Sequence, residues 1–291
     1  MLDCIIVGAG PAGISAALTL QANGKEFALL GTRELSEKIY KAEEIRNYPG
    51  LFRTTGKDFQ TALQTQLVQE EIPILEEKVT GVYALKDKFA VMTQNGNALE
   101  SKCVILACGV QSIKEIDGEH EFVGRGVSYC ATCDGFLYKG KKIAVICTTK
   151  TLEHEVEYLA NIAQTVYLIP LYKKVEVSGD NIVKIIKMPK KIIGAMRVNG
   201  VQFDKNPTPE LPATLPVDGV FMLRDCLSPA VLVGGLTMEN GHVVVQRDTS
   251  TNLSGCFAAG DCTGRPYQYA KAIGEGNVAA HAVVEYCKNN P

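Results

Sequence analysis

The residues best able to do chemistry lie in the stretch Ser128-Tyr-Cys-Ala-Thr-Cys-Asp-Gly135. Cys130 and Cys133 are separated by two residues, a spacing at which two thiols close a small redox-active disulfide. A tetrahedral metal site would need a second such pair or well-placed histidines. The chain has no second C-x-x-C, and His120 and His154 are poorly spaced to complete a site, so no metal is expected. Asp134 follows the pair directly, and a carboxylate beside a thiol pair can relay protons during disulfide exchange. The bland reading, two incidental buried thiols, leaves Asp134 without a purpose.

Composition limits what such a pair could serve. The chain has 291 residues, 46% apolar and 21% charged, with a net charge of −2. That is a soluble globular composition with room for two domains. It gives no bulk charge for nucleic acid, and no apolar run reaches the ~18 residues of a membrane span. The apolar strand Leu2–Val7 starts without a basic segment or cleavage site ahead of it, as expected of a cytoplasmic protein. Ten cysteines are many, but eight are scattered, often in apolar runs. This suits buried thiols in a reducing compartment and does not suit an iron–sulfur cluster.

The elements that must position the pair read as α/β, with two Rossmann-like domains. Residues 2–7 form a buried strand, Gly8-Ala-Gly-Pro-Ala-Gly13 a turn, residues to about 23 a helix, and Phe27–Leu30 a second strand. Strand, G-x-G-x-x-G, helix, strand is the dinucleotide-binding fingerprint. Gly8 permits the tight turn, Gly10 lets backbone approach a pyrophosphate, and Gly13 lets helix and strand pack closely. The acid expected after the second strand is missing, since the chain reads Leu30-Gly31-Thr32-Arg33. That disfavours simple NAD binding here and is compatible with FAD, with Thr32 or backbone groups at the ribose. A helix is expected over 56–69, and a strand over 104–107 that ends at Cys108-Gly109. In the last third, Gly255-Cys-Phe-Ala-Ala-Gly-Asp261 is a strand closing on a glycine and a carboxylate, followed by a helix over about 271–287. Asp261 could accept hydrogen bonds from ribityl hydroxyls, or could simply cap the helix. The helix N-terminus would stabilise negative charge on a reduced flavin.

The domain boundaries read as 1–111 and 225–291 for a split FAD-binding domain, with 112–224 inserted as a central domain carrying the cysteines. The central domain repeats the strand–helix–strand pattern over 142–146, 152–163 and 165–169. Its turn, however, is Cys147-Thr-Thr-Lys-Thr151, without the glycines. Branched Thr148 and Thr149 stand where a pyrophosphate would need bare backbone. Residues 170–191 carry six lysines against two acids. They read as a solvated hairpin face, or as a docking surface for an acidic partner or a phosphate.

The fingerprint Gly8–Gly13, Asn47-Tyr-Pro-Gly50, Cys130-Ala-Thr-Cys-Asp134 and Ala258-Ala-Gly-Asp261 resemble, in order and spacing, the low-molecular-weight thioredoxin reductases, over nearly the whole chain. Three departures resemble the clostridial ferredoxin-dependent flavin branch, which does not use pyridine nucleotide. The second glycine fingerprint is gone, Pro170-Leu-Tyr172 replaces the His-Arg-Arg that holds a 2′-phosphate, and Ser36-Glu-Lys38 replaces Gly-Gly-Gln. The resemblance implies a homodimer that passes electrons from ferredoxin through FAD to the cysteine pair and then to thioredoxin. It places Cys133 nearer the flavin, makes Cys130 the attacker of thioredoxin, and makes Asp134 the proton donor and acceptor. The expected cofactor contacts are Gly8, Gly10, Pro11, Ala12, Gly13, Gly31, Thr32, Lys38, Ile39, Asn47 and Val79. Further along they are Cys108, Gly109, Gly260, Asp261, Tyr267, Gln268, Tyr269 and Ala270. Other readings stay open from the residues alone: an atypical NAD(P)H site, a second flavin in the central domain, or a flavin-bound redox sensor without turnover.

Overall fold

The computed structural model describes residues 1–35, 37–40, 42–110, 115–203, 212–224 and 227–290, with the side chains of 37 and 38 excepted. Up to Val110 the strands are β1 (Leu2–Val7), β2 (Phe27–Leu30), β3 (Ile74–Leu75), β4 (Val79–Ala84), β5 (Phe89–Thr93) and β6 (Ala98–Leu106). The helices of this part are α1 (Pro11–Ala22), α2 (Glu37–Tyr40) and α3 (Gly56–Gln69). Next come β7 (Val127–Ser128), α4 (Ala131–Asp134), β8 (Lys142–Cys147), α5 (Glu153–Ala160), β9 (Thr165–Pro170) and β10 (Ile182–Lys184). These are followed by β11 (Pro189–Gly194), β12 (Val198–Phe203), β13 (Thr214–Pro216) and β14 (Gly219–Leu223). The chain ends with α6 (Pro229–Leu232), β15 (Met238–Glu239), β16 (His242–Val243), β17 (Cys256–Ala258) and α7 (Tyr269–Asn289).

The chain divides into two compact units, Met1–Val110 with Ser228–Pro291, and Gln111–Leu227. Both are Rossmann-like. In the first, the sheet order is β3-β2-β1-β6-β5-β4, with β17 on the C-terminal half of β6. The strands β3, β2, β1, β6 and β17 are parallel, and β4 and β5 add an antiparallel flank. Continuous apolar runs such as Cys4-Ile-Ile-Val7 and Cys103-Val-Ile-Leu106 are what a sheet buried on both faces requires. α1, α3 and α7 cover it. The second unit has a five-stranded parallel sheet, β10-β9-β8-β14-β7, and a separate antiparallel sheet, β11-β12-β13.

Two expectations need correction. The lysine-rich stretch is not a hairpin: β10 pairs parallel with β9 at the sheet edge, so Lys184 lies on an edge strand, Lys190 and Lys191 lie on β11 of a second sheet, and Lys173, Lys174 and Lys187 lie in the connections. The helix expected over 152–163 is a 3-10 turn, Lys150–Leu152, followed by only eight α-helical residues, 153–160. Apolar spacing in that segment marked the buried face of both pieces and did not separate the tighter turn from the helix.

The first unit depends on missing side chains. A Cβ at Gly13 would lie 1.8 Å from the Gly8 carbonyl oxygen, and one at Gly276 would lie 2.1 Å from that of Ala12. α1 therefore seats its first turn on the turn after β1 and against α7 at backbone distance. Gly276→Ala is expected to destabilise the protein by about 1–3 kcal/mol, the usual cost of overpacking. Thermal unfolding checks this; an unchanged melting temperature would show that the helices can separate freely.

Candidate functional site

Most of the expected cofactor residues gather at the carboxyl ends of parallel strands. β1 runs into Gly8, β2 into Gly31, β6 into Cys108 and Gly109, and β17 into Gly260 and Asp261. Ligands of open α/β sheets lie outside these ends. Gly8 has φ +115°, and its missing Cβ would sit 2.4 Å from the Ala107 carbonyl oxygen, so only glycine brings β1 and β6 together here. Gly10 and Gly109 have open space where a Cβ would be. No side chain caps α1, and no acid lies in its first turn. Free amides, open backbone and no negative charge are what a pyrophosphate needs at a helix N-terminus. The residues present therefore fit a dinucleotide-type flavin.

Distant parts of the chain complete the rim. Asn47 Nδ2 donates to Gln268 Oε1 at 2.6 Å across 221 positions. Tyr269 packs on Phe59 and Phe59 on Tyr48, with centroids 5.4 and 5.2 Å apart, which ties α7 to the Asn47 turn. Burial, and then Asp261, pushes the Tyr269 hydroxyl pKa up. Tyr267 and His242 hydrogen bond at 2.7 Å. Pro11 opens α1, and Ala12 is buried behind it. Thr32 Oγ1 donates to the Leu35 carbonyl at 2.8 Å, which commits that hydroxyl to its own turn. Ile39 and Val79 are buried, and Ala270 is exposed at the start of α7. The Lys38 side chain lies outside the described residues.

Sequence reasoning missed the support under Gly260. Glu275 accepts from the Gly260 amide and from Thr263 Oγ1, both at 2.8 Å, while Lys271 Nζ donates to the Gly260 carbonyl at 2.9 Å. Lys271 and Glu275 pair at 3.0 Å, four residues apart on one helix face. That spacing was a legible signal, and it fixes the turn that presents Asp261.

The cysteine pair lies in the second unit. Cys130 and Cys133 form a disulfide, S–S 2.04 Å, with Cys130 as the N-cap of α4. Cys130 is 6% exposed and buried, whereas Cys133 is exposed. The Cys133 amide donates to Cys130 Sγ at 3.1 Å, which favours negative charge on that sulfur once the bond opens. A short relay lies on one side: the Cys130 amide donates to Ser128 Oγ at 3.2 Å, and Ser128 Oγ donates to Asp134 Oδ2 at 2.7 Å. On the other side, Tyr129 Oη donates to Glu119 Oε1 at 2.8 Å. The other oxygen of Glu119 meets Arg224 Nη2 at 2.7 Å, with both side chains buried. Burial raises the Glu119 pKa, and Arg224 works against that shift. Seven other cysteines among the described residues lie outside the disulfide. Burial pushes Cys147 up to about 11 and Cys256 up to about 12, so these thiols stay protonated and inert near neutral pH.

The model of the family described as pyridine nucleotide-disulphide oxidoreductase matches residues 2–276, and the chain belongs to that family. The thioredoxin reductase of Helicobacter pylori is 32% identical to it, with 100% of each chain covered. That of Mycoplasma genitalium is 31% identical, covering 95% of this chain and 92% of its own. Among solved structures, a ferredoxin-flavin thioredoxin reductase from Clostridium acetobutylicum superimposes with a TM-score of 0.90, at 40% identity over 99% of this chain and 98% of that one. Within the family, this is a flavoprotein disulfide reductase of the thioredoxin reductase type. Among the described residues, no helix is long and apolar enough to cross a membrane.

Gly10 gives a test of the cradle. Its backbone is extended and its Cβ position is open, so Gly10→Asp should leave the fold intact. The added carboxylate should still repel the cofactor phosphates and lower the flavin retained per chain by at least ~10-fold. Flavin absorbance per chain, read beside apoprotein melting, checks this; full retention would move the cofactor away from the α1 N-terminus.

Proposed function

We propose that this chain carries electrons from reduced ferredoxin, through FAD held by the first unit, to the Cys130–Cys133 disulfide and on to thioredoxin. The observation that carries the choice of donor is the turn after β8. It is built from Cys147, Thr148 and Thr149, with Cys147 Sγ bonded to the Thr149 carbonyl at 3.2 Å, where a second nucleotide would need a glycine cradle. The likeness to a solved ferredoxin-flavin enzyme supports the same reading. The thioredoxin reductase names of the relatives support the acceptor.

Bound flavin supplies the conversion between one-electron and two-electron chemistry. Cys133, the exposed residue of the pair, receives the electron pair, and Cys130 leaves as a thiolate held by the Cys133 amide. Asp134, fixed by Ser128, moves the proton that the pair gains or loses. Cys130 then attacks the thioredoxin disulfide, and Cys133 resolves the mixed disulfide. The Cys130 side chain is buried in the closed ring, so the acceptor meets it only after the ring has opened. The drop from a ferredoxin near about −400 mV to thioredoxin at about −270 mV, over two electrons, releases roughly 6 kcal/mol.

Anaerobic titration of the flavoprotein with reduced ferredoxin and, separately, with NADPH tests the reading. Ferredoxin is expected to bleach the flavin band, and NADPH is expected to leave it unchanged. Rapid bleaching by NADPH would make the chain a nucleotide-dependent reductase with an unusual site. Cys130→Ser should keep a reducible flavin and abolish thioredoxin turnover, and Asp134→Asn should slow turnover by about 100-fold or more near neutral pH.

A further inference from the structure

The turn after β8 does more than lack glycines. α5 begins at Glu153, whose carboxylate accepts from Tyr172 Oη at 2.7 Å, from the Val177 amide at 2.9 Å and from the Glu176 amide at 3.0 Å. Convergent backbone amides and a hydroxyl are the donor set that proteins use for phosphate oxygens. Here, at the carboxyl end of β8 and the first turn of a helix, a side chain of the protein fills that set. Burial pushes the Glu153 pKa up, but the bonds from Tyr172 and the two amides outweigh it and hold the group below its ordinary value. Lys150, the cation of this turn, forms an ion pair with Glu176. Glu155, in the same first turn as Glu153, is buried. The Glu153 carboxylate therefore stands at the carboxyl end of β8, where a nucleotide in a fold of this kind would bring its own negative charge.

We infer that Glu153 is a specificity-determining residue: its carboxylate occupies the anion position of the second unit and so excludes phosphate-bearing nucleotides. This rests on the reading that pyridine nucleotide is not the donor, and it names the residue that enforces that choice. Removing the carboxylate takes the shared acceptor from the Glu176 and Val177 amides and from Tyr172, and a phosphate is expected to replace it there.

The experiment compares the intact flavoprotein with Glu153→Ala in chloride and in inorganic phosphate at equal ionic strength, reading thermal unfolding and phosphate affinity. The wild type should melt at the same temperature in both salts. Glu153→Ala should melt several degrees lower in chloride and recover at least half of that loss in phosphate. It should bind phosphate at least ~10-fold more tightly than the wild type. Adding Tyr172→Phe to it should reduce the recovery. Equal loss in both salts would make Glu153 a structural clamp only and overturn the inference, as would equal phosphate binding by the wild type. Glu153→Gln covers the case in which the alanine variant does not fold; it should show a smaller recovery in phosphate, and equal loss in both salts overturns the inference there too. NADPH is titrated into the wild type in parallel. Bleaching there overturns the donor assignment, whatever the two salts show, so the two failures are told apart.

Discussion

Bare backbone at the end of β1 is the constraint on which the first unit rests. Gly8, Gly13 and Gly276 each stand where an added Cβ would lie within 2.4 Å of a main-chain oxygen. With those atoms missing, β1, β6, α1 and α7 converge, and α1 starts uncapped beside the open backbone of Gly10. Packing and binding thus have one cause. The approach that closes the core also leaves a helix start that no side chain caps, the arrangement that suits an anionic ligand.

The second unit shows the same strand–helix–strand architecture with the opposite solution. There the carboxylate of Glu153, on the first residue of α5, accepts from Tyr172 and from the amides of Glu176 and Val177 beyond β9, and the branched residues Thr148 and Thr149 stand in the turn before the helix. A helix dipole favours a carboxylate in its first turn for the same reason that it favours a phosphate. A single Glu can therefore stabilise the apoprotein and remove a ligand site at once. Two similar folds in one chain differ at this point because a turn of a few residues decides whether the helix start is left bare or carries a carboxylate with its own donors.

Around the redox pair, alternation along an extended segment does the positioning. Ser128 faces the Asp134 side and Tyr129 faces the buried Glu119–Arg224 pair, so neighbouring side chains pin the backbone before Cys130 from both faces. A buried ion pair is costly to assemble and more costly to break, which makes it a firm anchor and a poor source of net stability. The firmness is on the Cys130 side. Cys133, at the exposed turn of a four-residue helix, is the more exposed half of the ring.

What the sequence made legible was local. Continuous apolar runs identified β1, β2 and β8, the glycine spacing identified the turn between β1 and α1, and C-x-x-C-D identified the redox pair, because each signal lies within about a dozen neighbouring residues. What it hid was set by pairing across the fold. Asn47 meets Gln268 from 221 positions away, and Glu153 finds its donors 19 to 24 residues later, beyond β9. Composition could show that residues 170–191 were basic, but only strand pairing could show that β10 is a parallel edge and not half of a hairpin. The missing glycines at Thr148 and Thr149 could be read as the loss of a site. That the acid at the start of α5 gathers a hydroxyl and two amides from beyond β9 required the distances, because an acid at the start of a helix is also an ordinary feature of a stable helix. Absence of a motif and occupation of its place are physically different. The first weakens binding, and the second sets a charge against it.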